Sequence, residues 1–154
     1  MQIESVEKIL AAHPFFEGLP EADLDTLVGC ASNATFEAGS FLFRTREAAD
    51  RFFLIRHGKV AVECFAAGHP LVVETIEPGE VLGWSWLFPP YKWHFDARAT
   101  TFVRALAMDG NCLRGKCERD PALGFHFMQR FASIIVQRLE ATQVQLMDVY
   151  GDKR

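Results

Sequence analysis

The sequence predicts a mainly β domain: an antiparallel β-roll, or jelly roll, with short helices before it and one long helix after it. Three observations predict this. Short runs rich in Phe, Val, Ile and Leu recur between Gly-containing turns across about 35–110. The stretch before them carries apolar residues at helical spacing, and the stretch after Pro121 returns to that spacing and holds it over about 121–149. With 154 residues, 49% of them hydrophobic and 23% charged, the chain suits one compact domain over 1–154 and would cramp two.

Taken in order, Val6, Ile9 and Leu10 beside Glu7 and Lys8 make a short amphipathic helix over 4–12, opened by Ser5 as N-cap and interrupted by His13-Pro14. Leu19-Pro20-Glu21-Ala22-Asp23-Leu24 starts a second helix with proline near its first turn, and Leu24, Leu27 and Val28 supply its buried stripe. From Thr35 the period changes. Strands are expected at 40–43, 51–56, 59–64 and 70–76, parted by Ala38-Gly39, His57-Gly58 and Ala67-Gly68. Gly58 permits the positive φ that so tight a hairpin wants. Pro78-Gly79-Glu80 turns the chain into an aromatic segment, 81–95, after which 97–108 reads as further strand.

After Pro121, Leu123, Phe127, Phe131, Ile134, Ile135, Leu139 and Leu146 share one broad face, with Gln137, Arg138, Glu140 and Gln143 mostly away from it. So long a helix carries more apolar surface than one small roll covers. Phe127, Phe131, Ile134, Ile135, Leu139 and Leu146 are therefore read as a homodimer face, with packing on the chain's own domain an equal alternative for the C-terminal half. Residues 151–154 read as a loose tail.

A net charge of −4 and a pI of about 5.7 argue against a surface that neutralises nucleic-acid phosphates. No apolar run approaches the roughly 18 residues of a membrane span. Glu4, Glu7 and Lys8 break up the N-terminus where an export signal needs continuous apolar sequence. The expectation is a soluble, cytoplasmic protein with neither nucleic acid nor membrane as partner. Four scattered cysteines, Cys30, Cys64, Cys112 and Cys117, argue for reduced thiols and against a disulfide framework. Arg114, Lys116 and Arg119 around Cys112 and Cys117 would lower a thiol pKa and suit a redox sensor, but small buried thiols are the stronger reading. The cysteines lack metal-site spacing, and the five histidines come without a Cys-x-x-Cys-His haem attachment, so no metal is expected and no cofactor is assigned. Nucleophile elbow, P-loop, paired catalytic acids and His-Glu-x-x-His helix are all absent, so an enzyme is not expected.

The order of elements, with Phe15-Phe16-Glu17-Gly18-Leu19, Phe36-Glu37-Ala38-Gly39-Ser40-Phe41-Leu42 and Phe52-Phe53-Leu54-Ile55-Arg56-His57-Gly58-Lys59-Val60, resembles the cyclic-nucleotide-binding domain of the Crp/Fnr superfamily. The likeness runs from about Phe15 to about Tyr150 and leaves no length here for a helix-turn-helix. It implies a cassette between two strands, in which backbone N–H groups of a short helix meet a phosphate, a glutamate after a glycine takes the ribose hydroxyl, and an arginine pairs the phosphate. Gly79 and Gly83 match that pattern. Trp84 falls on the glutamate position, and Trp93 or His94, depending on the anchor, falls on the arginine position.

An indole cannot compensate a phosphate charge, so weak or absent binding of cAMP and cGMP is expected, with Lys92, His94 or Arg98 as the remaining cations. Trp84, Trp86, Phe88, Tyr91, Trp93 and Phe95 put six aromatic residues within twelve positions. They fill the pocket, line it for a flat or apolar ligand held by Ser85, His94 or Arg98, or form a docking patch stiffened by Pro89-Pro90. The candidate site is thus Gly79, Gly83, Trp84, Ser85, Trp86, Trp93, His94 and Arg98. The expected function is a regulatory ligand-sensing module, with a small molecule or a protein as partner. The alternative is a ligand-free subunit that docks onto a larger enzyme or signalling complex.

Overall fold

The computed structural model describes residues 5–151. Helices α1 (Val6–Ala12) and α2 (Glu21–Val28) precede strands β1 (Ala31–Phe36), β2 (Phe41–Phe43), β3 (Arg51–His57), β4 (Val60–Ala66), β5 (His69–Ile76), β6 (Val81–Leu82), β7 (Asp96–Ala99) and β8 (Val103–Asp109). Helices α3 (Gly110–Arg119) and α4 (Pro121–Gly151) follow. The strands make two four-stranded antiparallel sheets, ordered β1-β8-β3-β6 and β2-β7-β4-β5. The expected antiparallel roll is present. Gly151 closes α4, and the rest of the expected tail, 152–154, lies outside the described residues.

The first sheet is covered on both faces, and its sequence shows it. Along β3, Phe53 and Ile55 point into the space between the sheets, whereas Phe52 and Leu54 point to the helices, so the strand reads as one unbroken apolar run. β8 divides likewise, with Val103, Ala105 and Ala107 inward and Leu106 and Met108 toward the helices. The second core joins that outer face to α1, α2, α3 and the first half of α4 through Leu10, Phe16, Leu27, Leu113, Phe127 and Phe131.

Local chemistry sets the element ends. The Ser5 side chain accepts from the Lys8 N–H at 3.3 Å and caps α1 as expected. His13 is buried, with Nδ1 accepting from Phe15 N–H at 3.2 Å and Nε2 facing the Ile55 carbonyl at 3.3 Å, so both ring nitrogens are satisfied in the neutral form. Gly58 has φ +86°, and a Cβ there would lie 2.1 Å from the Phe102 carbonyl oxygen, so this hairpin requires glycine. Arg130 ties α4 to the N-terminal segment, donating to the carbonyls of Phe15 at 2.7 Å and Glu17 at 2.8 Å.

Three expectations change. The first strand begins at Ala31 and not near Thr35, because Ala31, Ser32, Asn33, Ala34 and Thr35 lack apolar alternation while their backbone still pairs with β8. The stretch 97–108 divides at 100–102 into β7 and β8, which belong to different sheets. The thiols are not all reduced: Cys30 and Cys112 form a disulfide across 82 residues. Antiparallel pairing of Ala31 with Met108 brings the start of β1 beside the start of α3, a proximity that linear spacing does not reveal.

Candidate functional site

The segment between β6 and β7 is the one expected to form the cassette. Gly83 ends β6 with φ +98°, and a Cβ on it would stand 2.7 Å from the Trp93 ring, so the indole closes directly over this backbone. Ser85–Leu87 is one turn of 3₁₀ helix. Trp93 stacks on Phe43 at 3.8 Å between ring centroids and 9° between planes. Its backbone is stitched to the loop before β3, with Arg46 N–H donating to the Trp93 carbonyl at 2.8 Å and Trp93 N–H donating to the Glu47 carbonyl at 3.1 Å.

Of the candidates, Gly83, Trp84, Ser85, Trp93 and His94 line one small cleft of about 50 Å³, together with Phe43, Phe95, Glu74 and Arg138. Gly79 lies outside it, in the turn beside Pro14. Trp86 is a core residue, stacked on Phe52 at 5.0 Å and edge-on to Phe131 at 5.5 Å, with its carbonyl accepting from Arg114 at 2.6 Å. Arg98 is also outside the cleft and is already engaged, its Nε 2.6 Å from the buried Glu63 carboxylate. Phe88, Tyr91 and Phe95 stay largely at the surface. The aromatic segment thus divides: Trp86 is core, Trp93 packs on Phe43 and walls the cleft, Trp84 and the partly exposed Phe95 line it, Tyr91 lies under the Arg114 guanidinium at 4.2 Å, and Phe88 is exposed.

Two residues of the cleft escaped sequence reasoning. Arg138 of α4, expected away from the packed face, turns into the cassette with its side chain only 16% exposed. Its Nε donates to Glu74 Oε1 at 2.8 Å, its Nη2 donates to the Val81 carbonyl at 2.6 Å, and its guanidinium lies 4.9 Å from the Trp84 ring centroid. Burial lowers the Arg138 pKa and raises that of Glu74, each outweighing the opposite pull of the other's charge. The signal for Arg138 was its spacing, since it continues the series Phe127, Phe131, Ile134 by four residues. For Glu74 it was the one acid of β5, directly after the apolar run Leu71, Val72 and Val73.

The six helix residues separate along α4. Phe127 and Phe131 lie in the chain's own core, Ile134 packs against it, Ile135 is half-buried, and Leu139 and Leu146 are exposed. Cys117 is no activated thiol: burial first, and Asp120 second, push its pKa up, the reverse of what the neighbouring cations suggest. Among the described residues, no group of three His, Cys, Asp or Glu could hold a metal ion, and no helix is long and apolar enough to cross a membrane.

Known proteins are similar to this chain in sequence and fold. A protein of Geobacter metallireducens GS-15, a candidate cyclic nucleotide-binding protein, superposes with a TM-score of 0.77 at 30% identity, over 90% of this chain and 99% of its own. A CRP-like cAMP-activated global transcriptional regulator of Mycobacterium tuberculosis (strain ATCC 25618 / H37Rv) is 26% identical over 145 residues, 94% of this chain and 63% of that protein. The HTH-type transcriptional regulator Cmr of Mycobacterium tuberculosis (strain CDC 1551 / Oshkosh) is 25% identical over 129 residues, 84% of this chain and 51% of that protein. The chain therefore spans between about half and two thirds of these regulators. The family pattern of the cyclic nucleotide-binding domain matches residues 34–120, more than half of the chain and all of the cassette, and the chain belongs to that family in its Crp-like form.

Proposed function

We propose that this chain is a regulatory ligand-sensing domain whose cassette has given up ordinary cAMP and cGMP binding. The observation that carries this is the cleft itself: about 50 Å³ remain between Trp84, Trp93 and Phe43, against the roughly 300 Å³ or more of ordinary small-molecule sites. The indoles also stand where the family resemblance expects a ribose-binding carboxylate and a phosphate-binding guanidinium. Each lost charge-assisted contact is worth about 1.5–3 kcal/mol. Two of them weaken a micromolar ligand by roughly 10²- to 10⁴-fold. Calorimetric titration with cAMP and cGMP tests it: no saturable heat is expected at ligand concentrations up to about 100 μM, and a low-micromolar isotherm overturns the reading.

The sensing state is read out through a second copy. Phe125, Met128, Ala132, Ile135, Leu139, Thr142, Leu146 and Val149 alternate at three and four residues along α4, on a stripe distinct from the core-facing Leu123, Phe127 and Phe131, and Thr142 alone is polar. That is the a/d repeat of a two-helix coiled coil. The alternative, a ligand-free subunit docking onto a larger complex, draws support from the rings left at the surface, Phe88, Tyr91 and Phe95. A purified chain that is monomeric and carries no small molecule favours it.

A further inference from the structure

The cassette cleft already holds a ligand-like group, and that group is a cation. Two acceptors, the Glu74 carboxylate and the Val81 carbonyl, meet two different nitrogens of one planar guanidinium at 2.8 and 2.6 Å, while the Trp84 ring stands 4.9 Å from its centre. Glu80 adds a second negative charge acting on the same guanidinium. With Arg138 withdrawn the notch keeps the Glu74 carboxylate uncompensated, while Glu80, whose Oε1 accepts from the Glu77 N–H at 2.9 Å, borders the adjoining groove. A phosphate would enter against that field, whereas a cation bearing planar N–H donors matches both acceptors and the ring at once.

Arg138 also borders a second space, a groove of about 540 Å³ along α4 lined by Glu74 and Arg138 together with Phe15, Glu80, Val81 and Ile134. Cleft and groove share Glu74 and Arg138 as lining, so withdrawal of this side chain widens the room beside Glu74 from both.

We propose that the notch of Glu74, the Val81 carbonyl and the Trp84 ring is a receptor for a small guanidinium or amidinium compound, and that Arg138 occupies it in cis until such a compound displaces it. The proposal rests on the ligand-sensing reading and names its ligand class. A tethered group competes at an effective concentration of millimolar order, so removing Arg138 should expose the site.

The test is titration of the Arg138→Ala chain, residues 1–154, with benzamidine, ethylguanidinium, tetramethylammonium and methyl phosphate, followed by the Trp84 indole NMR signal and by thermal shift. Arg138→Met, which keeps most of the side-chain volume, serves if the alanine variant does not fold. Saturable binding of benzamidine and ethylguanidinium is expected, at least ~tenfold tighter than to the unmodified chain and abolished by adding Glu74→Gln. Tetramethylammonium, which has no N–H, and methyl phosphate should leave the Trp84 signal unmoved. No response to either N–H cation in a folded variant, or equal binding of tetramethylammonium or methyl phosphate, overturns the proposal while the refusal of cyclic nucleotides stands. Low-micromolar cAMP binding by the unmodified chain overturns the reading of a cassette closed to cyclic nucleotides, and this inference with it.

Discussion

Replacing Leu139 and Leu146 by alanine tests the α4 seam with little risk to the fold. The two side chains are 56% and 51% exposed in the single chain, so neither contributes much to the chain's own core, and alanine is the best helix former. Full burial of a leucine is worth about 1.5–3 kcal/mol, and roughly half of that remains to be gained when a partner covers the exposed part. Two leucines on each of two copies then bring about 4 kcal/mol, and the cavities left at the centre of the seam raise this to about 4–6 kcal/mol. Every 1.4 kcal/mol is tenfold, so the dissociation constant should rise by roughly 10³- to 10⁴-fold. Sedimentation equilibrium at about 1–100 μM reads this directly. The unmodified chain should run at twice its 17.4 kDa, and the double variant at that mass, with an unchanged monomer melting profile. A parent chain that stays monomeric throughout, or a double variant that stays dimeric, refutes the seam.

Other perturbations test the core, the cassette and the bridge. Gly83→Ala places a Cβ 2.7 Å from the Trp93 ring at φ +98°, which should cost about 2–4 kcal/mol and shift tryptophan emission to the red; unchanged stability would show that Trp93 is not packed there. Reducing the Cys30–Cys112 bridge, whose ends are 82 residues apart, should remove about 4–5 kcal/mol and lower the melting temperature by roughly 10–15 °C, and Cys30→Ser should abolish the effect of reductant. Burial holds the His13 pKa below its ordinary 6.5, so as pH falls the unfolded chain takes up this proton before the folded one. The stabilisation is therefore complete above about pH 6.5 and is lost as pH drops through the lower folded value. Denaturation midpoints should decline from about pH 7 to pH 5 and do so less in His13→Gln; identical profiles for the two would refute this role.

The parts of the fold visible in the sequence were those whose burial leaves a period. β3 and the first half of α4 announce themselves because Phe52 through Ile55 and the Phe127, Phe131, Ile134 series meet packed surfaces. β1 did not, because its small and polar residues are held by backbone pairing, which composition does not record. The cassette was found through Gly83 and its tryptophans, yet which indole fills and which lines depends on Phe43 and Phe52, distant in sequence. Arg138 was hidden for a different reason: a charge on a helix reads as solvent-facing until its partners on β5 and β6 are known.

Arg138 and Leu139 are consecutive residues, about 100° apart around one helix axis. The first is held by Glu74 and the Val81 carbonyl, and the second stands on the proposed seam. α4 is continuous from Pro121 to Gly151, so there is no joint between them to absorb a turn. A roll of the helix that draws the guanidinium from its notch must swing the leucine away from any partner that faced it. If two copies meet along the proposed seam, what occupies the cleft and how the copies meet become two readings of a single angle.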